Sequence, residues 1–145
     1  MVTLQISSQP RSLYMSLEIP LISDGIPASS PYSASDVIDL KIDLNRDLIQ
    51  HPKSTYFAKV SGESMINVGI YDGDLIIIDR CLTPRDGDIA VCVINSEFTI
   101  KRIKIELDVC WLLSSTKKDD PILVTKDNQF MIWGIVAHSI KSHIL

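Results

Sequence analysis

Two Asp-Gly-Asp tripeptides, Asp72-Gly73-Asp74 and Asp86-Gly87-Asp88, each lead straight into a run rich in branched apolar residues, 75–78 and 89–94. Glycine supplies turn dihedrals, and branched side chains suit a pleated surface, so the pattern is that of turn followed by strand. The two units resemble a degenerate internal duplication, although each is too short to establish a repeat. Asn95-Ser96 then offers a hairpin return into a strand over 98–105, and 111–113, 122–124 and 130–138 supply further strands from a pattern that begins at Thr55. Asp43 is an N-cap candidate for a short amphipathic helix over 43–51, with apolar Leu44, Leu48 and Ile49, stopped before Pro52. The expected fold is mostly β, built of short twisted sheets with one short helix.

Residues 1–41 have a different character. Pro10, Pro20, Pro27 and Pro31 interrupt any long element, and the stretch 28–35 is small and polar. Composition alone suits a flexible tail. Ile19, Leu21, Ile22 and Ile26, recurring in this polar setting, instead suit an arm docked along a body. The expected division is an extended arm over 1–41 and a β domain over 42–145. A chain of 145 residues, 46% hydrophobic, has room for one folded core.

Several function classes drop out. A net charge of −4 argues against a dedicated DNA-binding surface, so any role at DNA passes through protein partners. Cys81, Cys92 and Cys110 are odd in number and lack C-x-x-C spacing, which suggests neither a disulfide framework nor a zinc site. Reduced thiols fit a cytoplasmic protein. His51, His138 and His143 form no metal-binding pattern, and no cofactor is expected. No apolar run approaches the roughly 20 residues that cross a bilayer, and the first twenty residues lack a signal-peptide pattern.

The chemistry concentrates in Val60-Ser61-Gly62-Glu63-Ser64-Met65 and Glu97-Phe98-Thr99-Ile100-Lys101-Arg102. A serine hydroxyl does not attack an amide unaided; it needs a base. Lys101 sits among Phe98, Ile100 and Ile103, and strand alternation puts it on one face with Thr99 and Ile103. An apolar setting favours the neutral amine that a general base must be. A solvent-facing strand lysine is the plain alternative. Gly62 permits close backbone approach or a positive φ just before Ser64. The backbone N–H groups of Ser64 and Met65 are oxyanion-hole candidates, and Thr99 is a candidate for orienting the amine.

These segments, with Tyr56–Lys59, Asp72-Gly73-Asp74-Leu75-Ile76-Ile77-Ile78-Asp79, Gly87-Asp88-Ile89, Ile42-Asp43-Leu44-Asn45 and Leu48-Ile49-Gln50-His51-Pro52, resemble the LexA/UmuD family of self-cleaving serine peptidases. The likeness covers roughly residues 19 to 140, in the family's order and spacing. It implies the fold of the LexA/UmuD C-terminal domain and a catalytic Ser64/Lys101 dyad. It further implies a homodimer, cleavage stimulated by the RecA filament on single-stranded DNA, and service to a UmuC-like Y-family error-prone polymerase in the SOS response. A gap-free register places the cleaved bond at Ala28-Ser29, where Ser29 departs from the family's glycine; Asp24-Gly25 ranks second. A catalytically silent interaction module remains an alternative. A LexA-like repressor fragment is another, although the proline-broken first 41 residues cannot supply a helix-turn-helix.

Overall fold

The computed structural model describes residues 2–5, 16–21, 25–26, 40–115 and 120–144. Ala28, Ser29 and Asp24 lie outside them. The chain forms two compact units, Gln9–Gln50, and Met1–Ser8 with His51–Leu145. Ten strands are numbered in chain order: β1 (Val2–Gln5), β2 (Ile19–Leu21), β3 (Leu40–Ile42), β4 (Thr55–Val60), β5 (Leu75–Asp79), β6 (Ile89–Ile94), β7 (Glu97–Glu106), β8 (Val109–Leu113), β9 (Ile122–Val124) and β10 (Ile132–Ile140). The protein is mostly β, and the described residues form two antiparallel sheets and one short α-helix.

In the smaller unit, β2 and β3 form an antiparallel ribbon in which Ile19 faces Ile42 and Leu21 faces Leu40. Helix α1 (Leu44–Leu48) follows. The Asp43 side chain accepts the Asn45 N–H at 3.1 Å, and the Asp47 carboxylate accepts the Asp43 N–H at 3.1 Å. This exchange satisfies N-terminal donors that a helix leaves unpaired. The helix is shorter than the 43–51 pattern suggests. Ile49 is already extended, and Pro52, which disfavours helical dihedrals in the residue before it, instead opens a 3₁₀ turn over Pro52–Ser54.

The larger unit holds an eight-stranded sheet in the order β1-β4-β5-β10-β6-β7-β8-β9. Strand alternation along β6 and β7 sends side chains to two cores. Val91 and Ile100 join Ala58, Val60, Met65, Ile70, Ile76 and Ile78 in one. Ala90, Cys92 and Ile103 join Leu112 and Ile135 in the other. Removing a side chain such as Ile76 or Ile78 from water contributes about 1.5–3 kcal/mol. Trp133 packs against the first core, 5.0 Å from the Tyr56 ring and 5.4 Å from that of Phe98.

The two Asp-Gly-Asp turns repeat each other bond for bond. In the first, Asp72 Oδ1 accepts the Gly62 N–H at 2.7 Å, Gly73 N–H donates to Val60 O at 2.8 Å, and Val60 N–H donates to Asp74 O at 2.9 Å. In the second, Asp86 Oδ1 accepts the Ile105 N–H at 2.7 Å, Gly87 N–H donates to Ile103 O at 2.8 Å, and Ile103 N–H donates to Asp88 O at 2.7 Å. Gly73 and Gly87 have φ of 86° and 89°, the left-handed region that glycine enters without a Cβ clash. The duplication noticed in the sequence is thus a repeated docking of a turn onto a strand: one clasps the end of β4, the other β7.

Asp74 is buried, and its second oxygen accepts the Tyr71 N–H at 2.9 Å. Burial pushes its carboxyl up, but the hydrogen bond from Lys141 (2.9 Å), that from Tyr71 and the Lys141 charge outweigh it, so it sits below its ordinary value. Lys141 also lies 3.9 Å over the Tyr71 ring, which fastens the C-terminal segment to this turn.

Candidate active site

β4 ends at Val60, and the chain crosses Ser61, Gly62 and Glu63 to reach Ser64. Gly62 adopts φ 101°, and its N–H is held by Asp72. The positive φ, the second of the two uses that sequence reasoning gave this glycine, is the one found. Ser64 is exposed while the next residue, Met65, is only 2% exposed and packs in the first core. Met65 O accepts the N–H groups of Val68 at 3.1 Å and Ile70 at 3.1 Å, around a 3₁₀ turn over Ile66–Val68 that Gly69 closes with φ 83°. A buried side chain and a capped turn therefore fix the backbone on which the exposed hydroxyl stands.

Lys101 is half-buried on β7. The β6–β7 register sets Lys101 opposite Ala90 and Thr99 opposite Cys92, so Lys101 and Thr99 share the face of Ile103 and the second core. Arg102 and Lys104, on the other face, are exposed. Lys101 also makes itself felt at Cys92: burial pushes that thiol up to about 12 against the opposing pull of the Lys101 charge. Lys101 Nζ donates to Ser114 Oγ at 2.5 Å.

The next residue completes the arrangement. Ser115 Oγ donates to the backbone carbonyl of Ser64, and Ser115 O accepts from Asn67 Nδ2 at 2.8 Å. Consecutive serines at the end of β8 thus hold the candidate base with one hydroxyl and the backbone of the candidate nucleophile with the other. Ser114, Ser115, Asn67 and Asp72 were not among the site residues expected from sequence. A signal for Ser114 existed in the register. β7 and β8 pair Glu106 with Val109 and Arg102 with Leu113, so one step further sets Lys101 against Ser114. Finding it needed the turn at Leu107-Asp108, a dipeptide with no ordinary turn signature.

An exposed hydroxyl on a capped turn and an amine on a partly apolar sheet face, tied to adjacent serines, are groups of the kind that acyl transfer by a serine with a general base requires. Gly25, the described member of the second-ranked bond, is exposed in the smaller unit. No helix among the described residues is long and apolar enough to cross a membrane.

Comparison with known proteins is consistent with this chemistry. Residues 20–137 match the family model described as Peptidase S24-like. Protein MucA of Salmonella typhimurium is 38% identical over 127 residues, spanning 86% of this chain and 86% of its own. Protein ImpA of Salmonella typhimurium is 34% identical over 121 residues, 83% of this chain and 82% of its own. LexA repressor 1 of Pseudomonas putida is 36% identical over 124 residues, 85% of this chain but 60% of its own length.

Proposed function

The chain belongs to the Peptidase S24-like family, and from that premise we propose that it is a Ser/Lys endopeptidase that cuts its own N-terminal arm. Residues 1–41 act as the arm and 42–145 as the body, and the bond cut is Ala28-Ser29. The observation that carries the reading is the Ser114-Ser115 link, which ties the Lys101 amine and the Ser64 backbone to adjacent residues.

Ser64 Oγ adds to the scissile carbonyl carbon while neutral Lys101 Nζ takes the hydroxyl proton. The backbone N–H groups of Ser64 and Met65 stabilise the oxyanion that forms. Collapse breaks the C–N bond, and the Lys101 ammonium returns its proton to the departing amine. Water then attacks the ester, again losing a proton to Lys101, and Ser64 is regenerated with release of the new carboxyl end. Thr99 and Ser114 orient the amine. Asp72 acts one step further back, by holding Gly62 in the turn that carries Ser64.

Holding the substrate in the same polypeptide supplies a high effective molarity, so an intrinsically weak dyad suffices. A partner that favours the docked arm then switches the reaction on. We assign that role to the RecA filament on single-stranded DNA, and the service of the shortened homodimer to a UmuC-like error-prone polymerase after DNA damage. Incubating the purified chain at mildly alkaline pH, with and without RecA filaments, and mapping new termini by mass spectrometry tests this. The proposal expects a new N-terminus at Ser29, accelerated by the filaments. A chain left intact under both conditions rejects it.

A further inference from the structure

β1 is the outermost strand of the large sheet, and it covers the edge of β4 with Val2 opposite Val60, Thr3 opposite Lys59, Leu4 opposite Ala58 and Gln5 opposite Phe57. Val60, at the end of that edge, is separated from Ser64 only by Ser61-Gly62-Glu63. β1 also lies N-terminal to the bond proposed to be cut. We infer that the outer edge of β4 is a strand-binding site, filled in the intact chain by its own Val2–Gln5 and vacated when the chain is severed behind that segment. The inference rests on the proposed self-cleavage only for the event that empties the site.

The physical argument concerns tethering. A four-residue strand is near the lower limit of useful strand length, and covalent attachment makes its pairing intramolecular, with a high effective concentration. Cutting behind Ala28 leaves the severed piece held by two short pairings, four residues of β1 on β4 and three of β2 on β3, and so slight a non-covalent hold is then lost. What remains beside Ser64 is a bare row of backbone donors and acceptors, the surface that accepts an added strand from another polypeptide. The occupant it fits is an extended segment of the Val-Thr-Leu-Gln kind, alternating apolar and polar.

The register says which atoms report on it. Val60 N–H points to the β5 side, where it bonds Asp74 O. Successive N–H groups along a strand point opposite ways, so those of Lys59 and Phe57 point to β1, and Thr3 and Gln5 are the residues that exchange bonds with them. Backbone amide exchange should therefore be followed residue by residue in the intact chain, in Thr3→Pro and Leu4→Pro chains, and in the self-cleaved chain. In the intact chain, Lys59 and Phe57 should be as protected as Ala58 and Val60, at every dilution. Thr3→Pro removes a ladder donor and should speed exchange at Lys59 and Phe57 at least tenfold (about 1.4 kcal/mol), with Ala58 and Val60 unchanged. Leu4→Pro removes an N–H that points away and should leave all four protected. Self-cleaved chain should match Thr3→Pro, with the released fragment eluting separately. Fast Lys59 and Phe57 amides in the intact chain overturn the inference, and that measurement stands even if Thr3→Pro loosens the whole sheet. Protection lost on dilution would give the edge to a second copy and also overturn it, as would a cut chain that keeps both its fragment and its protection. Absence of any cut would reject the proposed function instead, leaving the intact and proline-substituted chains to decide this point.

Discussion

Ser114 gives the most direct residue-scale test of how the amine is held. Its hydroxyl lies 2.5 Å from Lys101 Nζ. It accepts from the amine as that amine takes the Ser64 proton and becomes ammonium, when a hydrogen bond to a charged group contributes roughly 1.5–3 kcal/mol. Ser114→Ala should therefore slow self-cleavage about tenfold or more, while Ser114→Thr, which keeps a hydroxyl, should restore most of the rate. Equal rates for all three chains would remove Ser114 from the mechanism. Cys92 bounds the conditions for such assays. Its thiol is raised by burial from an ordinary 9.0 to about 12, so the folded state holds the proton more tightly than the unfolded chain does. The resulting stability is complete below about pH 9 and fades as pH rises toward about 12. Melting temperature should fall through that window, and a Cys92→Ala chain should lose less across it. At pH 8, alkylation should reach exposed Cys81 and spare buried Cys92.

At the scale of elements, the two hairpins around β7 explain what sequence did and did not make legible. Both turns run through positive φ: 52° and 65° at Asn95-Ser96, 49° and 63° at Leu107-Asp108. Asn95 is a residue that tolerates such dihedrals, and the first turn was legible. Leu107 is not, and the second turn went unseen, along with the register that pairs β8 to β7. That is the reason Ser114 and Ser115 were not singled out, whereas the candidates Ser64, Lys101 and Thr99 each stand out within their own segments. Leu107 is 96% exposed, so it gains nothing from packing to offset the cost of its conformation. Leu107→Asn should stabilise the fold by about 1 kcal/mol, read as a higher urea midpoint with unchanged slope. A lower midpoint would show that the leucine has a stabilising contact. The Asp-Gly-Asp turns were legible as turns, but their shared bonding to β4 and β7 was not, because it joins residues far apart in sequence.

For the whole molecule, the alternation of branched and polar residues was enough to indicate a mostly β body, and the strands from Thr55 to Ile94 follow it closely. Strand order was beyond its reach: β10 lies between β5 and β6, and β1 joins the far edge from the start of the chain. Within 1–41, Leu17, Ile19, Leu21 and Ile26 are exposed, an apolar set of the kind that suits docking on a surface. In a symmetric homodimer such arms can be exchanged between copies. Mixing a Ser64→Ala chain with an Ala28→Asp chain, whose own bond is protected by a charged residue, should then yield cleavage of the first chain by the second. If the first chain stays intact at every concentration, with and without RecA filaments, cleavage is strictly within one polypeptide.

The central claim is that Ser64 and Lys101 act together on the chain's own peptide bond. Self-cleavage of the unaltered, Ser64→Ala and Lys101→Ala chains should be timed side by side from neutral pH to about pH 9, with amide exchange confirming that each is folded. The account predicts cutting at Ala28-Ser29 in the unaltered chain, faster as pH rises because only the neutral amine accepts the serine proton, and no cutting in either variant. Cleavage of a folded variant at the unaltered rate, or a rate flat with pH, would contradict it.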